Sequence, residues 1–243
     1  MFEGDQHRGK GCLYWSNGHK YREGCWTGNL LGGKGKEFSS KGKIVYWGGF
    51  LDNGFNGFGT KYDVESGTVV FEGNFVKGVR SGFGKCYNRG GAMTFEGNFL
   101  SDKFWKDGKL FHPNGVLMYE GKLANGLRNG KGQEFFDNGC CGFIGQFKDN
   151  YFDGPGKLFN ANEEVIYEGE FKKGKKFGSG IQLSSDFAGG IVYDGEFKDG
   201  TYEGHGKEFY QTGGLKFIGV YRNGQPGHGS PYHPNGKLVQ RNC

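Results

Sequence analysis

The sequence predicts an all-β chain, an elongated single-layer antiparallel meander of about nine to ten 24-residue β-hairpin repeats. Three observations carry this. Gly supplies 51 of 243 residues, several times its usual share of roughly 7%. The pair Gly-x-Gly recurs at Gly9/Gly11, Gly33/Gly35, Gly57/Gly59, Gly82/Gly84, Gly130/Gly132, Gly154/Gly156, Gly178/Gly180, Gly204/Gly206 and Gly227/Gly229, with second glycines 24 residues apart or nearly so once the missing member at Lys106–Gly108 is counted. An aromatic-x-Gly-x-aromatic run precedes most of these pairs. A fixed period of this length marks a repeat architecture.

Each element follows from side-chain alternation. In Phe71-Glu-Gly-Asn-Phe75, residues 71, 73 and 75 share one face of a strand and residues 72 and 74 the other. The bare glycine leaves room for a neighbouring ring. A turn follows, as in Val76-Lys-Gly-Val-Arg80, and Gly-x-Gly opens the second strand. A closing turn such as His112-Pro-Asn-Gly115 or His233-Pro-Asn-Gly236 ends the repeat, with Pro and Gly where turn geometry wants them. Helices have no room, since each interior glycine costs about 1 kcal/mol relative to Ala. Two strands per repeat at about 4.8 Å predict a rod on the order of 90 Å long. The array spans 1–243 as one domain, with 1–20 a partial N-terminal repeat and nine repeats over 21–243.

Departures from the period mark expected irregularities. Asp102 and Lys106 stand where glycine is expected, which predicts a bend or distorted hairpin there. Arg22 takes an aromatic position, and two extra residues fall around Ser184–Gly190.

Composition excludes several classes. Gly does not recur every third residue and Pro is only 5, against collagen. Aromatics at 17% are too many for a solvating disordered chain. No apolar run approaches 18 residues, and the N-terminal MFEGDQHRGKG lacks the apolar core of a signal peptide. The net charge of +5 is spread over both halves, so no nucleic-acid partner is expected. The six cysteines, Cys12, Cys25, Cys86, Cys140, Cys141 and Cys243, are irregularly spaced without Cys-x-x-Cys, and are expected as reduced thiols.

The pattern Tyr-Glu-Gly-Glu-Phe-Lys-x-Gly followed by x-Gly-x-Gly-Lys resembles the MORN repeat (membrane occupation and recognition nexus) over essentially the whole chain. The resemblance implies a twisted, elongated sheet with an aromatic groove. Members of that family include cytoskeletal and ciliary scaffolds such as radial-spoke-head components, junctional membrane proteins, and domains attached to lipid kinases or a methyltransferase. A cytoplasmic, cytoskeleton-associated protein of a cilium or axoneme is the expectation this implies.

Candidate chemistry is sparse. Gly28-Asn-Leu-Leu-Gly-Gly-Lys-Gly35 nearly spells a phosphate-binding loop, but the final Ser/Thr is absent and no βαβ unit surrounds it. The histidines recur at repeat positions without metal-ligand spacing. No catalytic residue, metal or cofactor is expected. Glu23, Glu72, Glu96, Glu120, Glu168 and Asp194 precede the strand glycine, while Lys36, Lys85, Lys109, Lys157 and Lys207 follow the second glycine. These rows predict cross-strand pairs on the face away from the aromatics.

Two surfaces carry the functional expectation. The aromatic face, with Phe71, Phe75, Phe95, Phe99, Tyr119, Phe143, Phe147, Tyr167, Phe171, Tyr193, Phe197, Phe217 and Tyr221, is a candidate groove for partner proteins, although most of these rings also serve as packing core. The alternative is a peripheral tether, with Lys172, Lys173, Lys175 and Lys176 on anionic lipid. Exposed sheet edges offer a route to self-association.

Overall fold

The computed structural model describes residues 2–3, 6–186 and 189–239, with side chains from Arg8 onward. The chain is all-β and divides into two compact units, Met1–Leu117 with Leu123–Gly126, and Met118–Lys122 with Leu127–Cys243. In the first unit a short hairpin, β1 (Phe2–Glu3) and β2 (Gln6–His7), precedes nine strands: β3 (Gly9–Tyr14), β4 (Lys20–Thr27), β5 (Leu30–Phe38), β6 (Ile44–Leu51), β7 (Gly54–Tyr62), β8 (Val69–Val76), β9 (Val79–Tyr87), β10 (Met93–Leu100) and β11 (Lys103–Phe111). The strand β12 (Leu117–Ala124) is divided between the units. The second unit continues with β13 (Leu127–Phe135), β14 (Cys141–Lys148), β15 (Tyr151–Phe159), β16 (Val165–Lys172), β17 (Lys175–Leu183), β18 (Ile191–Lys198), β19 (Thr201–Phe209), β20 (Leu215–Arg222) and β21 (Gln225–Pro231). Within each unit these strands pair antiparallel with their sequence neighbours.

The register places glycine opposite glycine across β3 to β11 and across β13 to β21. In the first unit the row runs Gly11, Gly24, Gly35, Gly48, Gly59, Gly73, Gly84, Gly97, Gly108 across β3 to β11. In the second it runs Gly132, Gly145, Gly156, Gly169, Gly180, Gly195, Gly206, Gly219, Gly229 across β13 to β21. The first aromatic of each repeat folds onto this row. A Cβ on Gly73 would stand 2.7 Å from the Phe83 carbonyl oxygen and 2.8 Å from the Phe71 ring. One on Gly84 would meet the same ring at 2.5 Å. No side chain fits at either position.

The tight turns are type I′, with both central residues at positive φ. Asp52 and Asn53 lie at 49° and 69°, and Asp149 and Asn150 at 50° and 73°. This chirality matches the strand twist and explains the Asn, Asp and Gly at these sites.

The bend expected at Asp102 and Lys106 is absent. Asp102 (φ 65°) occupies an ordinary turn position, and Lys106 (φ 61°) adopts the left-handed conformation that Gly33 (66°) and Gly178 (60°) use at the same place. The β10–β11 register slips after Gly97 just as β4–β5 slips after Gly24. The surrounding pairing holds the backbone, and Lys106 bears a steric cost of roughly 1–2 kcal/mol. Of the insertion at Ser184–Gly190, Phe187 and Ala188 lie outside the described residues, while the Ser184 N–H donates to the Gly190 carbonyl at 2.7 Å.

Two outcomes follow. Lys106→Gly relieves the left-handed strain and should raise stability by about 0.5–1 kcal/mol in a denaturant melt, the steric gain being partly offset by glycine's entropy. Burial pushes the phenols of Tyr46, Tyr167 and Tyr193 up to about 12 from an ordinary 10.0. A raised folded-state pKa means the folded chain holds protons that the unfolded chain has lost. Their contribution is therefore complete below pH 10 and falls as pH rises toward 12. Denaturant midpoints measured alongside phenolate absorbance should show that loss.

Candidate functional site

The aromatic row is a core rather than an open groove. All thirteen candidate groove residues, Phe71, Phe75, Phe95, Phe99, Tyr119, Phe143, Phe147, Tyr167, Phe171, Tyr193, Phe197, Phe217 and Tyr221, are 0–7% exposed. Edge-to-face contacts cover them. Phe71 meets Phe75 of its own strand at 5.1 Å and Phe99 of the next repeat at 5.2 Å, and Tyr167 meets Phe171 and Phe197 at 5.1 Å each. Such pairs add about 0.5–1.5 kcal/mol each beyond their burial. Where tyrosine takes the first position its hydroxyl donates to a backbone carbonyl, as Tyr46 to Gly49 at 3.0 Å and Tyr193 to Glu196 at 3.1 Å.

A further slot in this core escaped the sequence reading. From β7 to β19 the second residue of the strand after each tight turn reads Phe55, Arg80, Phe104, Arg128, Phe152, Lys176, Tyr202, aromatic and cation in alternation, with Leu31 and Pro226 in that slot of β5 and β21. The rings stack flat on the first aromatic of their repeat, Phe55 on Tyr46, Phe104 on Phe95, Phe152 on Phe143 and Tyr202 on Tyr193, each at 3.8 Å. The cations lie over two rings instead. Arg80 sits 5.5 Å from the Phe71 centroid and 4.9 Å from Phe99, and Arg128 5.7 Å from Tyr119 and 5.1 Å from Phe147. Their polar ends are satisfied, Arg80 by Asp102 at 2.8 Å and Arg128 by Glu134 and by the Asn150 carbonyl at 2.8 Å.

Lys176 is the third of these cations, 4.9 Å from the Tyr167 ring centroid and bonded to Gln182. Burial pushes its ammonium pKa down. Of the cluster Lys172, Lys173, Lys175 and Lys176, the first three are exposed around one tight turn, with Lys172 opposite Lys175 in register, and Lys176 leaves that surface. Lys176 points into the core, Lys175 faces Asp199 at 3.9 Å, and Lys172 lies over the Phe177 ring at 4.7 Å. Lys173 is left at the turn tip with φ 49°.

The face opposite the rings carries the acidic and basic rows. The strands bring Glu23 opposite Lys36, Glu72 opposite Lys85 and Asp194 opposite Lys207. Ion pairs close between Lys85 and Glu96 at 3.3 Å and between Lys157 and Glu168 at 3.0 Å. At this exposure each is worth a few tenths of a kcal/mol. Arg22, at an aromatic position, pairs with Glu37 at 2.7 Å. The five described cysteines are free thiols, and Cys243 lies outside the described residues.

On that same face the first unit exposes an apolar strip over β6 to β10. Leu51, Phe58, Val76, Phe83 and Leu100 are each 50–60% exposed. Phe58 pairs in register with Asn74, and Phe83 with Asn98. The signal was present in the letters. Phe58 and Phe83 sit between the two glycines where other repeats carry Lys10, Lys34, Lys131, Pro155, Ser179, His205 and His228. Leu51, Val76 and Leu100 end their strands where the second unit carries Lys148, Lys172, Lys198 and Arg222.

The repeat grammar, the glycine row and the ring core define the class. A family model described as the MORN repeat matches residues 1–20, 23–44, 71–93, 119–141, 143–162, 167–187 and 193–215. These seven matches cover more than half of the chain, which belongs to the MORN repeat family. Residues 45–70 and 94–118 fall outside the matches, yet fold as the same hairpins. They hold Leu51, Phe58 and Leu100 of the apolar strip. No curated protein matches the chain.

Phe95→Ala removes a fully buried ring that Phe99 and Phe104 both touch. It should cost about 3–5 kcal/mol of stability, read as a fall in denaturant midpoint before any partner is added.

Proposed function

We propose that this chain is a non-enzymatic scaffold whose partners are proteins of a large cytoplasmic assembly, with a cytoskeletal structure such as a ciliary axoneme as its place. The observation that carries the reading is the apolar strip of Leu51, Phe58, Val76, Phe83 and Leu100. Five half-exposed apolar side chains on one regular face are the kind of apolar surface that proteins cover with a partner. The rings of the core stiffen the sheet beneath it, so the strip is presented with little conformational cost on binding. End strands of the meander supply a second route, self-association edge to edge. For the membrane-tether alternative, Lys176 turns into the core and Lys172, Lys173 and Lys175 remain exposed around one tight turn.

Extraction of cells tests the reading. The wild-type chain should stay in the detergent-insoluble residue, and Phe58→Ser/Phe83→Ser should move at least half of it into the soluble fraction. Both side chains are exposed, so folding should survive, which a thermal melt verifies. Release of the wild-type chain by detergent alone, or by Lys172→Gln/Lys173→Gln, would favour the membrane tether.

A further inference from the structure

The first two hairpin pairs carry a feature chemically opposite to the apolar strip. Over β3 to β6 a cleft of about 550 Å3 opens above the backbone of the glycine row, within the usual range for small-molecule sites, about 300–1,000 Å3. Lys10, Lys20, Lys34 and Lys36 line it, with Glu23 and Trp47. Lys20 holds Glu23 at 2.9 Å, and that bond keeps the Glu23 carboxyl pKa below the usual range. Lys36 lies in register between Glu23 and Trp47. Lys10 and Lys34 are exposed and have no carboxylate partner among the described residues. Four ammonium groups less one carboxylate leave the cleft strongly positive.

The second unit provides an internal comparison. A cleft of about 510 Å3 opens there above the same glycine row, lined by one lysine, Lys131, and one acid, Glu120, with Gln133 and Gln146 between. The fold alone thus makes the trough, and it does not require lysines. Lys34 occupies the position that Phe58 and Phe83 fill in the next two repeats.

Lysine ammonium groups bind phosphoryl oxygens as point charges, and an indole offers a face for a planar ring. Trp47 is 51% exposed. It stands three strands from Lys10, roughly 14 Å at the usual strand spacing, so a ligand reaching both is charged at one end and flat at the other. The Gly28–Gly35 segment plays no part as a phosphate loop. Gly28 and Asn29 form the tight turn at positive φ, and strand β5 follows rather than a helix. Only the Lys34 side chain contributes.

We propose that this cleft binds a phosphorylated ligand with a planar ring, of the nucleoside di- or triphosphate class, its phosphoryl oxygens on Lys10, Lys34 and Lys36 and its ring against Trp47. The shared phosphoryl chemistry also occurs in lipid headgroups, so the test separates the sources. The full chain is titrated calorimetrically, without divalent metal, with ATP, with tripolyphosphate, and with phosphatidylcholine vesicles carrying a phosphoinositide. ATP should bind more tightly than tripolyphosphate and quench tryptophan fluorescence. Lys10→Gln/Lys34→Gln should weaken ATP at least tenfold, and Trp47→Leu should weaken ATP while leaving tripolyphosphate unchanged. Added salt should weaken both. The side chains changed are exposed, and unchanged melting temperatures would show that the variants fold. Absence of ATP binding, ATP no tighter than tripolyphosphate, binding indifferent to Lys10 and Lys34, or binding to vesicles alone would overturn the proposal.

Discussion

The structure depends on glycine meeting glycine across the strand pairs of each unit's repeat sheet. A single sheet has no second layer to bury its apolar face. Here the burial is achieved within the layer. Bare backbone at Gly73 and Gly84 lets the Phe71 ring lie against the sheet, where a Cβ on either residue would collide with it. Once flat, that ring presents its surface to Phe75 and Phe99, and the contact repeats along each unit. The high glycine content is thus the condition for an aromatic core in a one-layer fold, despite glycine's entropic cost within strands.

The same condition decides which surface is available for function. Because the rings cover one another, the aromatic face has little left to offer a partner. What remains is the opposite face, where the repeat grammar fixes few letters. In the first unit those free letters are apolar around Phe58 and Phe83 and basic around Lys34. Variation at the free positions distinguishes one hairpin from the next while the core pattern stays fixed.

Much of the fold was legible in the sequence because it is periodic. Side-chain alternation around the strand glycine gave the faces, the glycine spacing gave the hairpins, and the Glu and Lys rows gave the cross-strand pairs. Burial was less legible. Whether Phe95 is covered depends on the Phe104 ring stacked 3.8 Å away, which belongs to a position outside the aromatic-x-Gly-x-aromatic run. Lys176 misled for the same reason. Alternation along the strand places Lys176 on the inner face and leaves three of the four lysines at one turn. The bend expected at Lys106 assumed that glycine was obligatory there, whereas the flanking strands impose the left-handed backbone on lysine.

The alternating slot has a consequence for how such a chain grows. Phe99 is shared, with Arg80 over it from one repeat and Phe104 against it from the next. Two successive cations would crowd one ring with like charge. Two successive rings would leave Asp102 without its guanidinium. Between Phe55 and Tyr202, gain or loss of a single 24-residue hairpin therefore breaks the pattern, whereas gain or loss of two hairpins, about 48 residues, preserves it.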